Sequence, residues 1–186
     1  MRKIVSGFFI SLDGVVEAPH EWHFPWFSDQ MGAAIVGATN ASDAMLMGRN
    51  VYQEWAEYWP NAPEDDEFGQ FINNVDKYVV STTLTEAGWG NTTVIPGDDL
   101  VERITELKSR PGKDIYISGS PTLVRSLLGH GLVDELQLLI HPIIVGSGER
   151  LYEGLDQIPL KVVAAETFET GVLFVRYAPD DSKPGE

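Results

Sequence analysis

The chain contains no cysteine among its 186 residues. A disulfide framework, thiolate metal sites and a cysteine nucleophile are therefore excluded. Basic residues are also scarce, since 13 Lys and Arg stand against 28 Asp and Glu, for a formal net charge of -15. Because such a surface repels phosphate backbones and anionic lipids, neither a nucleic acid nor a membrane is an expected partner.

Long apolar runs are missing too, and no stretch approaches the roughly 20 apolar residues that span a bilayer. The first apolar run is short and ends at Asp13-Gly14 without a small-residue cleavage site, which favours a strand over a signal peptide. We therefore expect a cytoplasmic protein. Residues 1–178 are predicted to form one domain, and residues 179–186 a polar tail.

Strands and helices alternate through the first two thirds of the chain. Strands are predicted at residues 3–10, 43–47, 77–82, 92–95 and 114–118, and helices after Ser28, around 68–75, after Asp98 or Asp99, and after Ser120. Three strands follow, at residues 133–141, 160–167 and 172–178. This order predicts an α/β fold, with a mostly parallel sheet, helices on both faces and a mixed edge.

Small residues follow three of these strands, where α/β sheets bind phosphates. Gly48-Arg49 offers close backbone approach and a bidentate cation. Ser118-Gly119-Ser120-Pro121 leads into a helix whose first amides favour a pyrophosphate, and Ser81-Thr82 supplies hydroxyls. The full glycine fingerprint of dinucleotide sites is absent, so ordinary strand-to-helix turns remain an alternative.

Aromatic residues are concentrated in two segments. Trp22, Trp26 and Phe27 lie between the first strand and the first helix, and Tyr52 and Trp55 follow Gly48-Arg49. Aromatic walls suit a flat heterocycle, although core packing explains many such residues.

Four histidines are present, and two of them are close together in the sequence. His20 and His23 flank an acidic residue without a helical pattern, so no metal site is predicted. His141 precedes a proline at the end of an apolar strand and is interpreted as structural.

Several motifs occur in a familiar order. They are Ser11-Leu12-Asp13-Gly14, Met47-Gly48-Arg49, Ser118-Gly119-Ser120-Pro121-Thr122-Leu123, Val133-Asp134-Glu135-Leu136, and His141-Pro142 running into Gly146-Ser147-Gly148. In this order the chain resembles the dihydrofolate reductase-like superfamily, and within it the reductase domain of the bifunctional riboflavin-biosynthesis deaminase-reductases. The resemblance extends from about residue 2 to residue 178.

That resemblance implies a three-layer fold with about eight strands and an antiparallel C-terminal edge. It implies a homodimer, and NADPH, or alternatively NADH, bound across the carboxyl ends of the strands. Gly48 and Arg49 would contact its phosphates, Ser81 and Thr82 its adenosine side, and the segment Ser118, Gly119, Ser120, Pro121 and Thr122 its pyrophosphate. The implied reaction is hydride transfer to a pterin-like or pyrimidine-like heterocycle. The site for this heterocycle would be lined by Trp22, Trp26, Phe27, Tyr52 and Trp55.

Asp13 matches the loop aspartate of the riboflavin-type reductases and is the first candidate proton donor, acting through water or by orienting the substrate. A carboxyl beside an aromatic, desolvated pocket has a raised pKa, which suits an acid. Asp29 and Glu17 are weaker candidates. Met31 occupies the position where dihydrofolate reductases carry their acid, which argues against a true dihydrofolate reductase.

Two alternatives remain at this stage. The first is a non-catalytic nucleotide-binding or interaction protein that retains the fold. The second is a structural dimer in which the apolar segment Val133–Ile144 forms a strand-edge interface.

Overall fold

A computed structural model describes residues 1–180 of the chain. One sheet contains eight strands in the order β4-β3-β2-β5-β1-β6-β8-β7. The strands are β1 (Ile4–Ser11), β2 (Ser42–Gly48), β3 (Asp76–Ser81), β4 (Thr92–Pro96), β5 (Asp114–Ser118), β6 (Glu135–His141), β7 (Leu160–Thr167) and β8 (Leu173–Pro179). Strands β1 to β6 pair in parallel, whereas β8 is antiparallel to both β6 and β7. The predicted mixed sheet with an antiparallel C-terminal edge is confirmed.

Five α-helices cover the sheet. They are α1 (Asp29–Asn40), α2 (Arg49–Tyr58), α3 (Glu67–Asn74), α4 (Leu100–Ser109) and α5 (Pro121–Gly129). One apolar cluster contains Ile104 of α4 and Leu127 of α5, and a second contains Ile72 of α3. Neighbouring Ile4 and Val5 of β1 belong to the first and second cluster respectively, because successive side chains of a strand point to opposite faces. The helices therefore lie on both faces, as predicted.

The position of β6 corrects one expectation. The apolar segment Val133–Ile144 was expected to form an edge interface, but β6 lies between β1 and β8. Its apolar residues are buried because they pack inside the sheet, and Leu136 and Leu138 are 2% and 3% exposed. The free edges are β4 and β7.

The helix starts differ in how they are capped. The Ser28 hydroxyl accepts a hydrogen bond from the Met31 amide (3.3 Å), as expected for the start of α1. Asp99 occupies the N-cap position of α4, but its side chain does not cap the helix, because Gly97–Asp99 already form a 3₁₀ turn.

The last strand ends one residue later than predicted. Strand β8 continues to Pro179, and the Asp180 amide donates to the Pro159 carbonyl (2.9 Å). The remaining residues of the predicted tail, 181–186, lie outside the described residues. Within residues 1–180, no helix has both the length and the apolarity needed to cross a bilayer.

Candidate functional site

The parallel strands bring the residues that follow them to one end of the sheet, which we call the carboxyl edge. Their carboxyl ends are Ser11 (β1), Gly48 (β2), Ser81 (β3), Ser118 (β5) and His141 (β6). In open α/β sheets ligands bind outside these ends. The segments that follow these strands therefore define the candidate site.

A hydrogen bond joins the two small-residue turns. The Gly48 amide donates to the Ser120 hydroxyl (2.9 Å), between neighbouring strands β2 and β5. Ser120 occupies the N-cap position of α5, but its side chain does not cap the helix. Gly119 and Ser120 both have left-handed backbones, with φ of 77° and 57°. The first amides of α5 have no partner within the helix and remain suited to an anion.

Arg49 extends from the β2 turn towards the end of β3. Its guanidinium donates to the Thr83 hydroxyl (2.9 Å) and to the Asn50 side-chain oxygen (3.3 Å). The Ser81 hydroxyl is buried and accepts from the amides of Thr83 (3.1 Å) and Leu84 (2.9 Å), so it shapes this turn. Thr82 is exposed, and the contact with Arg49 comes from Thr83 instead.

Thr122, in the first turn of α5, has a charged environment. Its hydroxyl accepts from Arg125 (3.2 Å), which also forms an ion pair with Glu149 (2.6 Å). The Thr122 hydroxyl also donates to Glu149 (3.4 Å), so a carboxylate lies beside the predicted pyrophosphate position.

Asp13 does not have the environment predicted for an acid. Its carboxylate accepts hydrogen bonds from the Ser11 hydroxyl (2.7 Å) and from the amides of Val145 (3.0 Å) and Gly146 (2.9 Å). These bonds favour the charged form and lower the pKa of Asp13 to about 2. The expected raised pKa is wrong, and Asp13 instead fixes the segment after β6.

The two weaker carboxylate candidates are separated from each other. Glu17 accepts from the Glu149 amide (2.7 Å) and so fixes the same segment as Asp13. Asp29 is exposed in the first turn of α1.

Aromatic residues collect around the end of β6. Trp22 and Trp26 each direct a ring edge-on to His141, with centroids 5.3 Å and 6.2 Å away. Phe27 approaches the ring of His23 at 6.1 Å. These three predicted aromatics therefore share one side of the site.

Tyr52 and Trp55, also predicted as substrate walls, pack in a different aromatic group from Trp22 and Trp26. Tyr52 is 5% exposed, and its hydroxyl accepts from the Trp89 amide (3.1 Å). Trp55 packs edge-on against Phe68 (5.6 Å) and Trp59 (6.0 Å). Both belong to the apolar layer under α2 and α3 because the inner face of α2 points there.

Two buried histidines complete the aromatic cluster. His23 stacks on Phe9 of β1 (4.5 Å), and its ring centroid lies 6.0 Å from that of His141. Burial is the main cause that lowers the pKa of His23 to about 4, and burial also lowers the pKa of His141. Sequence reasoning missed that these rings meet, and the aromatic residues around His23 were the one signal that could have indicated it.

The eight-stranded sheet and the helices on both of its faces define an α/β protein with a dihydrofolate reductase-like fold. The chain belongs to the RibD C-terminal domain family, whose model matches residues 2–174. The uncharacterized protein YyaP of Bacillus subtilis is similar, with 32% identity over 180 residues that cover 95% of this chain and 94% of that protein.

Solved structures share the fold. A protein of Shewanella sp. PV-4 named for riboflavin biosynthesis has a TM-score of 0.78 at 21% identity, covering 96% of this chain and 99% of that one. Dihydrofolate reductase of Enterococcus faecalis, complexed with NADP(H), has a TM-score of 0.64 at 14% identity, covering 96% and 97%. At these identities the likeness concerns the fold.

Proposed function

We propose that the protein is an NADPH-dependent reductase that transfers a hydride to a pterin-like or pyrimidine-like heterocycle. The observation that carries this proposal is the hydrogen bond from Gly48 to Ser120, which places two anion-suited turns side by side at the carboxyl edge. The family membership supports a reductase.

The edge residues fit the phosphates of a dinucleotide. The backbone is open at Gly119, where an added Cβ would approach nothing more closely than a Val51 methyl group at 3.8 Å. The side-chain partners of the Arg49 guanidinium, Thr83 and Asn50, are neutral, so Arg49 can turn to a phosphate. Gly48, Arg49 and the first turn of α5 would hold the phosphates, and Ser81 with Thr82 would border the adenosine side.

The chain's own residues would position the heterocycle and exclude water. NADPH supplies the hydride when it is bound. Trp22 and Trp26 form an apolar wall at the end of β6, and Asp13 with Glu17 holds the adjoining segment in place. Asp13 would orient the substrate through its negative charge, since a carboxyl with a pKa of about 2 holds no proton at neutral pH.

Titration of the purified protein with NADPH and with NADH, followed by tryptophan fluorescence, tests the cofactor. We expect saturable binding that favours NADPH, and an affinity loss of about tenfold to a hundredfold in Arg49→Ala, as for a lost charge-assisted hydrogen bond. The matched control is Arg103→Ala, because Arg103 is exposed on α4 and pairs with Glu106 of the same helix. Absence of saturable binding of either dinucleotide would remove the reductase proposal.

Turnover separates the enzyme from the non-catalytic alternative. Oxidation of NADPH at 340 nm in the presence of a dihydropterin or quinonoid pterin acceptor supports the enzyme. Binding of NADPH without turnover of any such acceptor would favour a nucleotide-binding protein that retains the fold.

We also propose a homodimer in a cytoplasmic setting. Every residue of the edge strand β7 is at least partly exposed, including Val162 (59%) and Val163 (50%). Exposed apolar residues at a sheet margin suit an interface with a second copy.

A further inference from the structure

His141 is a buried histidine at the carboxyl edge without an assigned role. It is the last residue of β6, pairs in register with Ser11 of β1, and is 0% exposed. Its Nδ1 lies 2.8 Å from the Leu139 carbonyl oxygen. The ring thus belongs to the same edge as Gly48 and Ser118.

This contact fixes which ring nitrogen carries the proton. A carbonyl oxygen only accepts, so Nδ1 must be the donor, and in the neutral ring Nε2 is then an acceptor. Nε2 is buried and has no hydrogen-bond partner among the described residues. Buried polar atoms without partners are rare in native proteins and cost stability.

Besides the Leu139 carbonyl, the Ile10 backbone also forms a hydrogen bond with the His141 ring, and the other neighbours of the ring are aromatic. Trp22, Trp26 and His23 all meet the ring edge-on, and Phe9 packs obliquely at 5.8 Å. An apolar or amide side chain would fill the space of the His141 ring without leaving a ring nitrogen unpaired. An unused acceptor among aromatic side chains is typical of a site that recognises a flat ligand with a hydrogen-bond donor.

We propose that His141 is a substrate-binding residue whose Nε2 accepts a hydrogen bond from a ring N–H of the heterocycle. This inference rests on the proposed function and names the group that recognises the substrate. Pterins and pyrimidinediones carry an amide N–H in the ring plane, which is complementary to the lone pair of Nε2. A site with such a buried acceptor rejects ligands that lack the donor.

The site also determines how a ligand must enter. Because Trp22, His23 and Trp26 cover the ring, a ligand reaches Nε2 only by displacing part of this cover. Binding should therefore change tryptophan fluorescence even without a dinucleotide.

Two substitutions separate the acceptor from the packing. His141→Asn retains a group that can bond the Leu139 carbonyl but removes the acceptor at the Nε2 position. His141→Gln keeps an amide oxygen near the Nε2 position. With 7,8-dihydropterin and 5,6-diaminouracil as probes, we expect His141→Asn to weaken probe binding about tenfold or more and His141→Gln to restore part of it. The affinity for NADPH should change less than twofold in both, and circular dichroism should verify that both fold.

Nitrogen NMR gives a direct reading of the hydrogen bond. In protein labelled with ¹⁵N-histidine, Nε2 of His141 should resonate as an unprotonated nitrogen and move upfield when a probe binds. The N3-methylated dihydropterin lacks the ring donor. Wild type should bind it about tenfold more weakly than the unmethylated probe, whereas His141→Asn should bind the two probes equally.

The outcomes distinguish this inference from the proposed function. A probe that binds without moving the Nε2 resonance, or that binds His141→Asn as tightly as wild type, overturns the role of His141. Binding of NADPH without binding of either probe also overturns it and leaves the cofactor proposal standing. Probe binding at Nε2 without any dinucleotide binding supports His141 and removes the reductase.

Discussion

At the scale of single residues, hydrogen-bond partners decide which site groups are charged. Asp13 receives three donors from its own turn and from the segment after β6. A depressed carboxyl pKa stabilises the fold above the unfolded value of 3.8, and this contribution is lost as the pH falls towards about 2. Asp13 is therefore a fixed negative charge at neutral pH.

Replacing Asp13 by Asn should loosen the segment it holds. An amide presents an NH₂ group to one of the two backbone donors, so the amides of Val145 and Gly146 should exchange with deuterium roughly fivefold to tenfold faster. Hydrogen-exchange mass spectrometry measures this. Asp29→Asn, at an exposed position, is the control, and equal exchange in both variants would contradict the role of Asp13.

His23 should make the stability of the protein depend on pH. Its pKa is about 4 in the folded protein and 6.5 in its ordinary state, so the unfolded chain binds a proton that the folded chain refuses. The free energy of unfolding should therefore fall as the pH falls from 6.5 to 4, with a slope that approaches about 1.4 kcal/mol per pH unit for this group.

Urea denaturation at several pH values measures this slope. His23→Phe should reduce this slope between pH 4 and 6.5, with the remainder contributed by His141, whose pKa burial also lowers. His130→Phe, at an exposed position after α5, should leave the slope unchanged. An identical slope in wild type and His23→Phe would show that the pKa of His23 is not lowered in the folded protein.

At the scale of elements, a buried lysine of strand β3 caps the C-terminal end of helix α3. Lys77 is 0% exposed, and its ammonium donates to the carbonyls of Ile72 and Val75 (both 2.9 Å) and lies 4.7 Å from the centre of the Trp89 ring. Burial lowers the pKa of this lysine. The cation satisfies carbonyls that the helix end cannot pair.

Lys77→Met should therefore destabilise the protein by about 2–4 kcal/mol, because two buried carbonyls lose a charged donor. Thermal unfolding measures the loss. Lys161→Met, on the exposed strand β7, should lie within about 0.5 kcal/mol of wild type. A loss in Lys77→Met no larger than in the control would contradict the capping role.

Most elements were predictable because their signals are local. The strand before Gly48, the capped start of α1 at Ser28 and the Ser120-Pro121 start of α5 follow from short patterns. The acceptor role of Ser120, the partners of Asp13 and the meeting of His23 with His141 depend on residues far apart in the chain. The central place of β6 likewise depends on pairing order, which hydrophobicity does not encode.

At the scale of the whole molecule, the edge strand β7 determines how a second copy of the protein could bind. The edge strand β7 exposes Val162 and Val163, and its pairing with β8 is irregular between Val162 and Ala164. A bulge discourages continuation of the sheet across that edge. In the proposed dimer, the exposed side chains of β7 therefore form the contact.

Placing lysine at both Val162 and Val163 should convert the proposed dimer to a monomer, because it puts two charges into an apolar contact. Sedimentation velocity measures the change. Val101→Lys, at an exposed apolar position on α4, should not alter the association state. A dimer that persists in the double variant would place the interface elsewhere.

The strand order also determines when each strand can pair with its neighbours during translation. Strand β1 is synthesised before its two neighbours in the sheet, β5 and β6, which contain residues 114–118 and 135–141. Strands β2, β3 and β4 adjoin one another and have their partners early. The apolar residues of β1 therefore stay unpaired until residues 114–141 have been synthesised, and the sheet closes around β1 late.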